Sequence, residues 1–320
     1  MSRLYCTLFD SNYASRGLAL YRSLERCLRE DFVLAILCMD AEVERLLTKL
    51  RLPRVRLMRV EDLRDPELLA LRDQRPAREF CWTCAPALMR SLLREVEPGE
   101  TVTYLDADLM FFDDPAPVFA EMGGRDILIH EHRFGPERAH MAASSGIFNV
   151  GLVSIRHAPQ GIACVERWRA QCIECCELDP ERGLCGDQKY LDEWPALYDR
   201  LVILQHKGAG LAPWNIENYR IEPAADGSGV LVDGEKLIFY HYHALRVVSY
   251  GRFGVCWIWP SAGYNFTSAH NRLIYKPYAS ALRAAARELR GSAEPVKLTT
   301  FRVGFIGFWL YWSRGWLTYG

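Results

Sequence analysis

The amino-acid sequence predicts an α/β protein built on a mostly parallel sheet with helices on both faces. Short apolar, strand-like runs alternate with helical periods through the first hundred residues. Strands that alternate with helices pair in parallel, and helices then cover both sides of the sheet. The chain has 320 residues, half of them hydrophobic, so it can bury a sizeable core.

The predicted elements of the first half follow one another closely. Strands are expected at 4–9, 32–38, 55–60 and 101–105, and helices at 14–28, 42–50 and 86–95. Asp40 is well placed to cap the second helix, which Pro53 ends. Since ligands of such sheets bind beyond the carboxyl ends of the strands, the residues after Phe9, Cys38 and Leu105 are the first to consider.

The second half has a mixed α+β pattern, which favours a substrate-binding half over an independent module. Strands are expected at 126–130 and 147–155, a long helix at 158–178, and a hairpin at 230–238. The hairpin is predicted around Asp233-Gly234, a turn pair that tolerates positive φ.

Composition excludes several classes of protein. With 39 Lys and Arg against 40 Asp and Glu, the net charge of −1 argues against a general nucleic-acid binder. The longest uninterrupted apolar run, 303–312, is about half of the ~20 residues that span a bilayer. The chain starts without a signal-peptide pattern, and its eleven cysteines are scattered, so we expect reduced thiols and a cytoplasmic protein.

The most informative stretch is YLDADLMFFDDP at residues 104–115. Asp106 and Asp108 leave the end of a predicted buried strand, one residue apart, and two such carboxylates can converge on a hard divalent cation. A bare Asp-x-Asp pair is more often a solvated turn. Here the apolar residues on both sides favour a metal site.

This stretch resembles the metal-binding signature of GT-A-fold glycosyltransferases, particularly glycosyltransferase family 8. The resemblance covers about residues 3–250 and includes further motifs in the same order. They are Phe9-Asp10 with Tyr13, Phe148-Asn149-Val150-Gly151, Gly186-Asp187-Gln188 and His241-Tyr242.

The resemblance implies a metal centre. Asp106 and Asp108 would bind Mn²⁺ or Mg²⁺ bridging the donor diphosphate, and His241 would be the third protein ligand. His243 is the rival ligand, because residues 241 and 243 share one face of a strand.

The resemblance also implies a nucleotide-sugar site. Phe9, Asp10 and Tyr13 would hold the nucleotide base, with Asp106 at the diphosphate. Asn149 and Gly151 would line the sugar pocket. Gln188 and Asp187 would form its reacting face, Gln188 steadying the oxocarbenium ion and Asp187 contacting a sugar hydroxyl or acting as nucleophile. The alternative for this last motif is a helix cap at Asp187.

The sequence departs from the family at its cationic positions. Trp82 stands where the family has an arginine, and a phosphate-contacting Lys-Pro-Trp is missing, with Arg246 alone nearby. Lys207 and Trp214 lie in a Gly/Pro-rich segment that could close over the donor, Lys207 on phosphate and Trp214 on the sugar ring; a surface turn is the alternative.

Two other clusters point to weaker hypotheses. Cys81 and Cys84 have the CxxC spacing of zinc and redox sites, but other cysteines fall at the helical spacing of a buried face, which disfavours both. His130, His132 and His140 precede the sugar-pocket strand, where we expect acceptor-side contacts; contacts with the donor and ordinary polar residues of a loop are the alternatives.

Together these features predict a metal-dependent, retaining glycosyltransferase that uses a nucleotide-sugar, with a UDP-sugar expected, and a glycan or lipid-linked acceptor. The catalytic domain is expected to cover 1–290, its nucleotide half 1–115 and its sugar and acceptor half 116–290. A sugar-nucleotide nucleotidyltransferase and a non-catalytic carbohydrate-binding relative are the alternatives. The aromatic tail, 291–320, is expected either to rest on the inner membrane face or to pack on protein, including a second copy.

Overall fold

The computed structural model describes residues 3–250, 253–257, 264, 266–290, 300–302 and 317–318. The helices are α1 (Ala14–Cys27), α2 (Ala41–Leu50), α3 (Pro66–Ala70), α4 (Ala77–Leu93), α5 (Ala116–Met122), α6 (Met141–Ser145), α7 (Pro159–Glu174), α8 (Trp194–Leu197), α9 (Ser268–His270) and α10 (Lys276–Arg290). The strands are β1 (Arg3–Phe9), β2 (Phe32–Cys38), β3 (Val55–Arg59), β4 (Thr101–Leu105), β5 (Leu109–Phe111), β6 (Ile127–Glu131), β7 (Phe148–Arg156), β8 (Leu178–Asp179), β9 (Leu184–Cys185), β10 (Leu201–Ile203), β11 (Ile221–Pro223), β12 (Val230–Val232), β13 (Glu235–Lys236), β14 (Phe239–His241), β15 (Arg246–Tyr250), β16 (Phe253–Trp257), β17 (Thr300–Arg302) and β18 (Leu317–Thr318).

A central sheet of seven strands, in the order β10-β6-β7-β4-β1-β2-β3, organises the chain. Neighbouring strands are parallel except at β7, which is antiparallel to both β4 and β6. The predicted mostly parallel sheet is therefore confirmed. The reversed direction of β7 brings its start, around Asn149, to the carboxyl ends of β4 and β6.

Both faces of this sheet are buried, as the near-continuous apolar strands require. Along β1, Tyr5 and Phe9 join the core formed with α1, α2, α5 and α10, whereas Cys6 and Leu8 join the core formed with α4 and α7. The alternation follows from successive side chains pointing to opposite faces of a strand.

Most predicted elements are confirmed within a few residues, including β2 and β4 at their full extents. The side chain of Asp40 caps α2 by accepting a hydrogen bond from the Val43 N–H at 2.7 Å. The predicted helix at 86–95 was wrong at its start, because α4 begins at Ala77 and holds Pro86 in its interior. Pro86 is buried there, so apolar packing offsets the lost backbone hydrogen bond. Helix α7 ends at Glu174, before the predicted residue 178.

Two smaller pairings complete the region around the sheet. The predicted hairpin is confirmed, with β12 and β13 antiparallel around the turn at Asp233-Gly234. Strand β5, three residues long, pairs antiparallel with β14 and so joins the segment after β4 to a distant part of the chain.

The C-terminal prediction can be followed only in part. Most of the aromatic tail at 291–320 lies outside the described residues, apart from the short pairings of β17 with β15 and β18 with β16. Within the part of the chain that the structure describes, no helix combines the length and apolar character needed to cross a bilayer.

Candidate active site

Two carboxylates lie where the central strand β4 ends. Asp106 and Asp108 occupy the turn into β5, which the Leu109 N–H closes by donating to the Asp106 carbonyl at 3.1 Å. The backbone N–H of Asp106 donates to the Gly151 carbonyl of β7 at 3.0 Å, and the Tyr104 hydroxyl donates to Asp106 Oδ1 at 3.0 Å. These hydrogen bonds hold the turn at the carboxyl end of a buried central strand, in place of a freely solvated loop.

His241 reaches the carboxylates because β14 pairs with β5, which sets His241 opposite Leu109. Its Nε2 lies 3.1 Å from Asp108 Oδ1 and 3.6 Å from Asp106 Oδ2. Among the described residues, this trio alone forms a group of three or more with metal-ligating atoms within 4.8 Å of one another. The rival His243 is not part of that group, although its ring lies 5.9 Å from that of His241.

The donor set fits one divalent cation. An octahedral ion with ligands at about 2.1 Å separates neighbouring ligand atoms by roughly 3 Å, which matches the spacing from His241 Nε2 to the two carboxylates. Two anionic oxygen donors and one imidazole nitrogen would also compensate the charge of such an ion.

Asn149 orients the imidazole of His241. Its Oδ1 accepts a hydrogen bond from the Gly151 N–H at 2.9 Å, which identifies that atom as the oxygen. His241 Nδ1 lies 3.2 Å from the same oxygen and must therefore carry a proton and donate to it. A neutral His241 is then left with its Nε2 lone pair facing Asp106 and Asp108, the orientation that a metal ligand needs.

The amide nitrogen of Asn149 reaches Gln188 of the predicted Gly186-Asp187-Gln188 motif. Asn149 Nδ2 donates to Gln188 Oε1 at 2.8 Å and lies 3.3 Å from His132 Nε2. Gln188 Nε2 in turn donates to the Ser145 carbonyl at 2.7 Å. Asn149 thus links His241, the candidate third metal ligand, to Gln188, and both amide groups have defined orientations.

Gly151 is required by close packing around this network. A Cβ at this position would lie 2.6 Å from Asn149 Oδ1 and 2.9 Å from His241 Nδ1, shorter than real Cβ contacts. The backbone conformation of Gly151 is one that any residue can adopt, so glycine is required only because there is no room for a side chain. The sequence motif indicated Gly151, but the need for a glycine there comes from the close approach of His241, 90 positions away.

Burial and mutual charge set the protonation of the site. Burial raises the pKa of Asp106, and its neighbour Asp108 adds to the effect. Asp108 is also desolvated, yet the charge of His241 brings the pKa of Asp108 to about 2. Burial opposes protonation of His241, but Asp108 and Asp106 together raise the pKa of His241 above its usual value.

Asp187 is 5% exposed and lies within electrostatic reach of Asp106. Burial raises the pKa of Asp187 well above the usual carboxyl range, with further increases from Cys176 and Asp106. Its backbone carbonyl accepts a hydrogen bond from the Trp168 indole at 2.9 Å. The alternative for this motif, a helix cap at Asp187, is not formed, since the short 3₁₀ helix that follows begins at Lys189 without a side-chain cap.

The predicted base-binding loop follows β1. Asp10 accepts a hydrogen bond from the Tyr13 N–H at 3.1 Å and caps the turn at Ser11–Tyr13, and Tyr13 itself is 42% exposed. The predicted contact of Phe9 with the nucleotide base must be corrected, because the Phe9 side chain is 3% exposed and packs in the core against Gly17 of α1. Phe9 therefore supports the loop and offers no side-chain contact to a nucleotide.

Lys207 and Trp214 also differ from expectation. Lys207 Nζ lies 3.4 Å from Asp233 of the hairpin, so the structure does not bring it to the carboxylate cluster. Trp214 does lie at the cluster, with its ring edge-on to those of His241 and His243 at 5.4 and 5.5 Å. It is 6% exposed, so it supports the histidines and offers no open ring face to a sugar.

The histidines before β7 are only partly as expected. His130 and His132 are buried, and burial lowers the pKa of each to about 3, so both are neutral. His132 belongs to the Asn149 network, whereas His140 is exposed on the surface.

The cysteines give no metal or redox site among the described residues. Cys81 and Cys84 lie within α4, and Cys164, Cys172 and Cys176 are buried. The ten cysteines whose side chains the structure describes are free thiols.

Two residues near the site were not identified as functional from the sequence. The ring of Trp82 packs against Gly186, directly before Asp187. Arg16 of α1 is 8% exposed, and its guanidinium lies 4.4 Å from the centre of the Tyr13 ring. Its position three residues after Tyr13, one turn along a predicted helix, was the available signal.

Comparison with known proteins places the chain in context. Residues 32–175 match the model of the family described as nucleotide-diphospho-sugar transferase. The uncharacterized protein YfnD of Bacillus subtilis is 32% identical over 305 residues, with 94% of each chain covered. YfnF of the same organism is 34% identical over 255 residues, covering 78% of this chain and 84% of YfnF.

Solved structures agree with the fold. The galactosyltransferase LgtC, in complex with donor and acceptor sugar analogues, superposes with a TM-score of 0.51 at 13% identity, covering 97% of this chain and 99% of LgtC. An LgtC active-site mutant, in which glutamate replaces a glutamine, has a TM-score of 0.50 at 15% identity, covering 76% and 88%. The GT-A fold predicted from the sequence is confirmed.

Proposed function

Because this chain belongs to the same family as YfnD and YfnF and is a glycosyltransferase, we propose that it moves a sugar from a nucleoside-diphosphate sugar to a glycan or lipid-linked acceptor in a metal-dependent, retaining reaction. The observation that carries the proposal is the cluster of Asp106, Asp108 and His241 at the carboxyl end of β4. A UDP-sugar is the expected donor.

The cluster would hold Mn²⁺ or Mg²⁺ through its two carboxylates and His241 Nε2. A bound ion of this kind would neutralise the charge that develops on the leaving diphosphate. Mn²⁺ is the better match, because Mg²⁺ prefers an all-oxygen shell and one donor here is an imidazole nitrogen. The hydrogen bond from His241 Nδ1 to Asn149 keeps the ligating nitrogen aimed at the site.

Gln188 and Asp187 would form the reacting face. Gln188 is held from both sides by Asn149 and the Ser145 carbonyl, so its amide is preorganised beside the expected sugar position. In LgtC a glutamine that was replaced by glutamate is described as an active-site residue, which is in keeping with a glutamine at the proposed site. Buried Asp187 favours its neutral form, which suits a hydrogen bond to a sugar hydroxyl better than nucleophilic attack.

Tyr13, Asp10 and Asn149 complete the proposed donor site. The exposed Tyr13 ring offers a stacking surface for a nucleotide base, and Asp10 holds its loop in place. Asn149 would meet the sugar beside Gln188, with Gly151 providing the space behind it. We place the enzyme in the cytoplasm, with the tail at 291–320 either on the inner membrane face or in contact with a second copy.

The experiment that tests the proposal is a thermal-shift screen of nucleoside diphosphates and nucleotide sugars with and without Mn²⁺. Ligands that bind only the folded state raise its stability, so we expect a Mn²⁺-dependent shift with at least one donor. Asp108→Asn should abolish both that shift and donor hydrolysis while circular dichroism stays unchanged.

Asp113→Asn is the matched control, since Asp113 lies five residues further on and pairs with Lys236 at 2.8 Å outside the cluster. Unchanged Mn²⁺-dependent turnover in Asp108→Asn would overturn the metal assignment. Pyrophosphate release from UTP and a sugar phosphate would instead support a nucleotidyltransferase.

A further inference from the structure

Arg16 is a buried cation beside the proposed site. It lies on α1 and is 8% exposed, and its Nη2 donates to the Leu245 carbonyl at 2.9 Å. The guanidinium stacks over the ring of Tyr13 at 4.4 Å. Leu245 belongs to the turn that directly follows His241, since the Leu245 N–H donates to the Tyr242 carbonyl. Arg16 therefore stands between the base-binding loop and the segment that carries the proposed third metal ligand.

No carboxylate of the described residues forms an ion pair with Arg16, whereas Arg138, the other buried arginine among them, pairs with Glu217. Leaving a buried guanidinium without a counter-ion is costly. One of its five N–H donors is used by Leu245, which leaves donors for a ligand. The positive charge also acts on Asp108, which places it within electrostatic reach of the metal cluster.

Among the side chains that the structure describes, the other candidate cations named from the sequence are engaged elsewhere, and the family's arginine is replaced. Trp82 stands at the position of the family's arginine and packs on Gly186. Lys207 pairs with Asp233, and Lys189 pairs with Asp192 at 2.9 Å. A departing nucleoside diphosphate carries more negative charge than one divalent ion neutralises, so a second cation is expected near it.

We propose that Arg16 binds the diphosphate of the donor nucleotide, in place of the cations that this chain lacks. This inference rests on the proposed function, because it needs a nucleoside-diphosphate donor. Guanidinium suits the task, since its planar fork donates two parallel hydrogen bonds to phosphate oxygens. Stacking on Tyr13 and the bond to Leu245 hold that fork in one orientation before the donor arrives.

The test compares binding of UDP, UMP and uridine to the full chain by calorimetry, in the presence of Mn²⁺. We expect Arg16→Met to weaken UDP binding about 10- to 100-fold, the effect of losing charge-assisted hydrogen bonds. Uridine binding should change less than threefold, and Arg16→Lys should recover part of the UDP affinity. Mn²⁺ binding without nucleotide should be unchanged or tighter, because a positive charge near Asp108 is removed.

Arg22→Met is the matched control, on the same helix but exposed and paired with Glu25 and Glu288. Equal UDP binding by wild type and Arg16→Met would overturn the inference and leave the proposed function standing. Equal losses for UDP and uridine would also overturn it, since they would indicate a purely structural role. If Arg16→Met does not fold, the same ratio of UDP to uridine losses is read from Arg16→Lys. Failure of the wild type to bind any nucleoside diphosphate would overturn the proposed function itself.

Discussion

Asn149 is the residue on which both parts of the site depend. Its carboxamide oxygen faces His241 and its nitrogen faces Gln188, so a single side chain orients both the proposed metal ligand and the proposed reacting face. Each of its four hydrogen-bonding capacities has a partner, which makes the arrangement rigid. A change at Asn149 should therefore affect metal binding and catalysis at once.

Gly151→Ala tests how closely the network is packed. The added methyl would collide with Asn149 Oδ1 and His241 Nδ1, so we expect His241 to move and Mn²⁺ affinity to fall at least tenfold. Isothermal titration with Mn²⁺ measures the effect. Gly124→Ala is the control, because open space surrounds that position. Wild-type Mn²⁺ affinity in Gly151→Ala would show that His241 is not a ligand.

The pH dependence of the metal-free protein follows from His241. Its neighbours Asp108 and Asp106 outweigh burial and raise the pKa of His241 in the folded state. That stabilisation is complete below the unfolded pKa of about 6.5 and is lost as pH rises through the raised value. We expect the Tm of the metal-free protein to fall over this window and that of His241→Gln to change less.

Mn²⁺ should show the opposite trend in the same window. The ion needs a neutral imidazole, so its affinity rises with pH as His241 loses its proton. Titrations between about pH 6 and 9 would measure this, with the exposed His140→Gln as control. An affinity independent of pH would exclude His241 from the coordination.

At the scale of secondary-structure elements, Asp65 joins three helices. It is 2% exposed, caps α3 through the Leu68 N–H, and accepts a hydrogen bond from Arg169 of α7 at 2.9 Å. Arg90 of α4 lies 3.7 Å away. Helices α4 and α7 form the layer beneath β7, so this contact supports the strand that carries Asn149.

Asp65→Ala should lower the free energy of unfolding by about 3 kcal/mol, because it removes a cap and leaves a buried arginine with one partner fewer. Urea denaturation followed by circular dichroism measures this loss. Asp73→Ala, at an exposed position, should change stability by less than about 0.5 kcal/mol. A loss below about 1 kcal/mol in Asp65→Ala would mean that the three helices do not depend on this contact.

Elements with strong local signals could be predicted from the sequence, and those that depend on distant contacts could not. The Asp40 cap and the buried run of β2 are decided by neighbouring residues. The helix predicted at 86–95 began too late, because a proline is typical of the first turn of a helix. Only packing in the core explains why Pro86 lies in the interior of α4. The direction of β7 and its pairing with β4 could not be predicted, because they depend on contacts that exist only in the folded sheet.

In the candidate site, too, residues in local motifs could be predicted, whereas those that depend on distant contacts could not. Asp106, Asp108 and Gln188 stand in recognisable local motifs, and His241 was found through family spacing. Arg16 was missed because its partner, Leu245, is 229 residues away. Phe9 was misjudged because burial beneath α1 cannot be read from a strand-end motif.

At the scale of the whole molecule, α10 packs in the same core as α1, so residues up to Arg290 contribute to the core of the proposed nucleotide-binding half. We predict that a chain ending at Arg290 binds UDP and Mn²⁺ within about twofold of the full chain. It should lose association with anionic vesicles if the tail rests on a membrane, or with a second copy if the tail forms a dimer contact.

Vesicle sedimentation and light scattering of the full and shortened chains distinguish the two arrangements of the tail. Loss of UDP binding in the shortened chain would show that the catalytic domain does not end near residue 290. Unchanged association in both assays would remove the tail from either role.

The pairing of β5 with β14 has a consequence for biosynthesis. It joins Asp108 to a histidine more than a hundred residues later, so a ribosome must release most of the polypeptide before a three-ligand site can exist. Under the proposed function, metal capture is therefore a late event in folding. We expect Mn²⁺ to slow unfolding of the finished protein while leaving the early folding rate unchanged. Incomplete chains would carry no ion, and occupancy would report that synthesis and folding have run to completion.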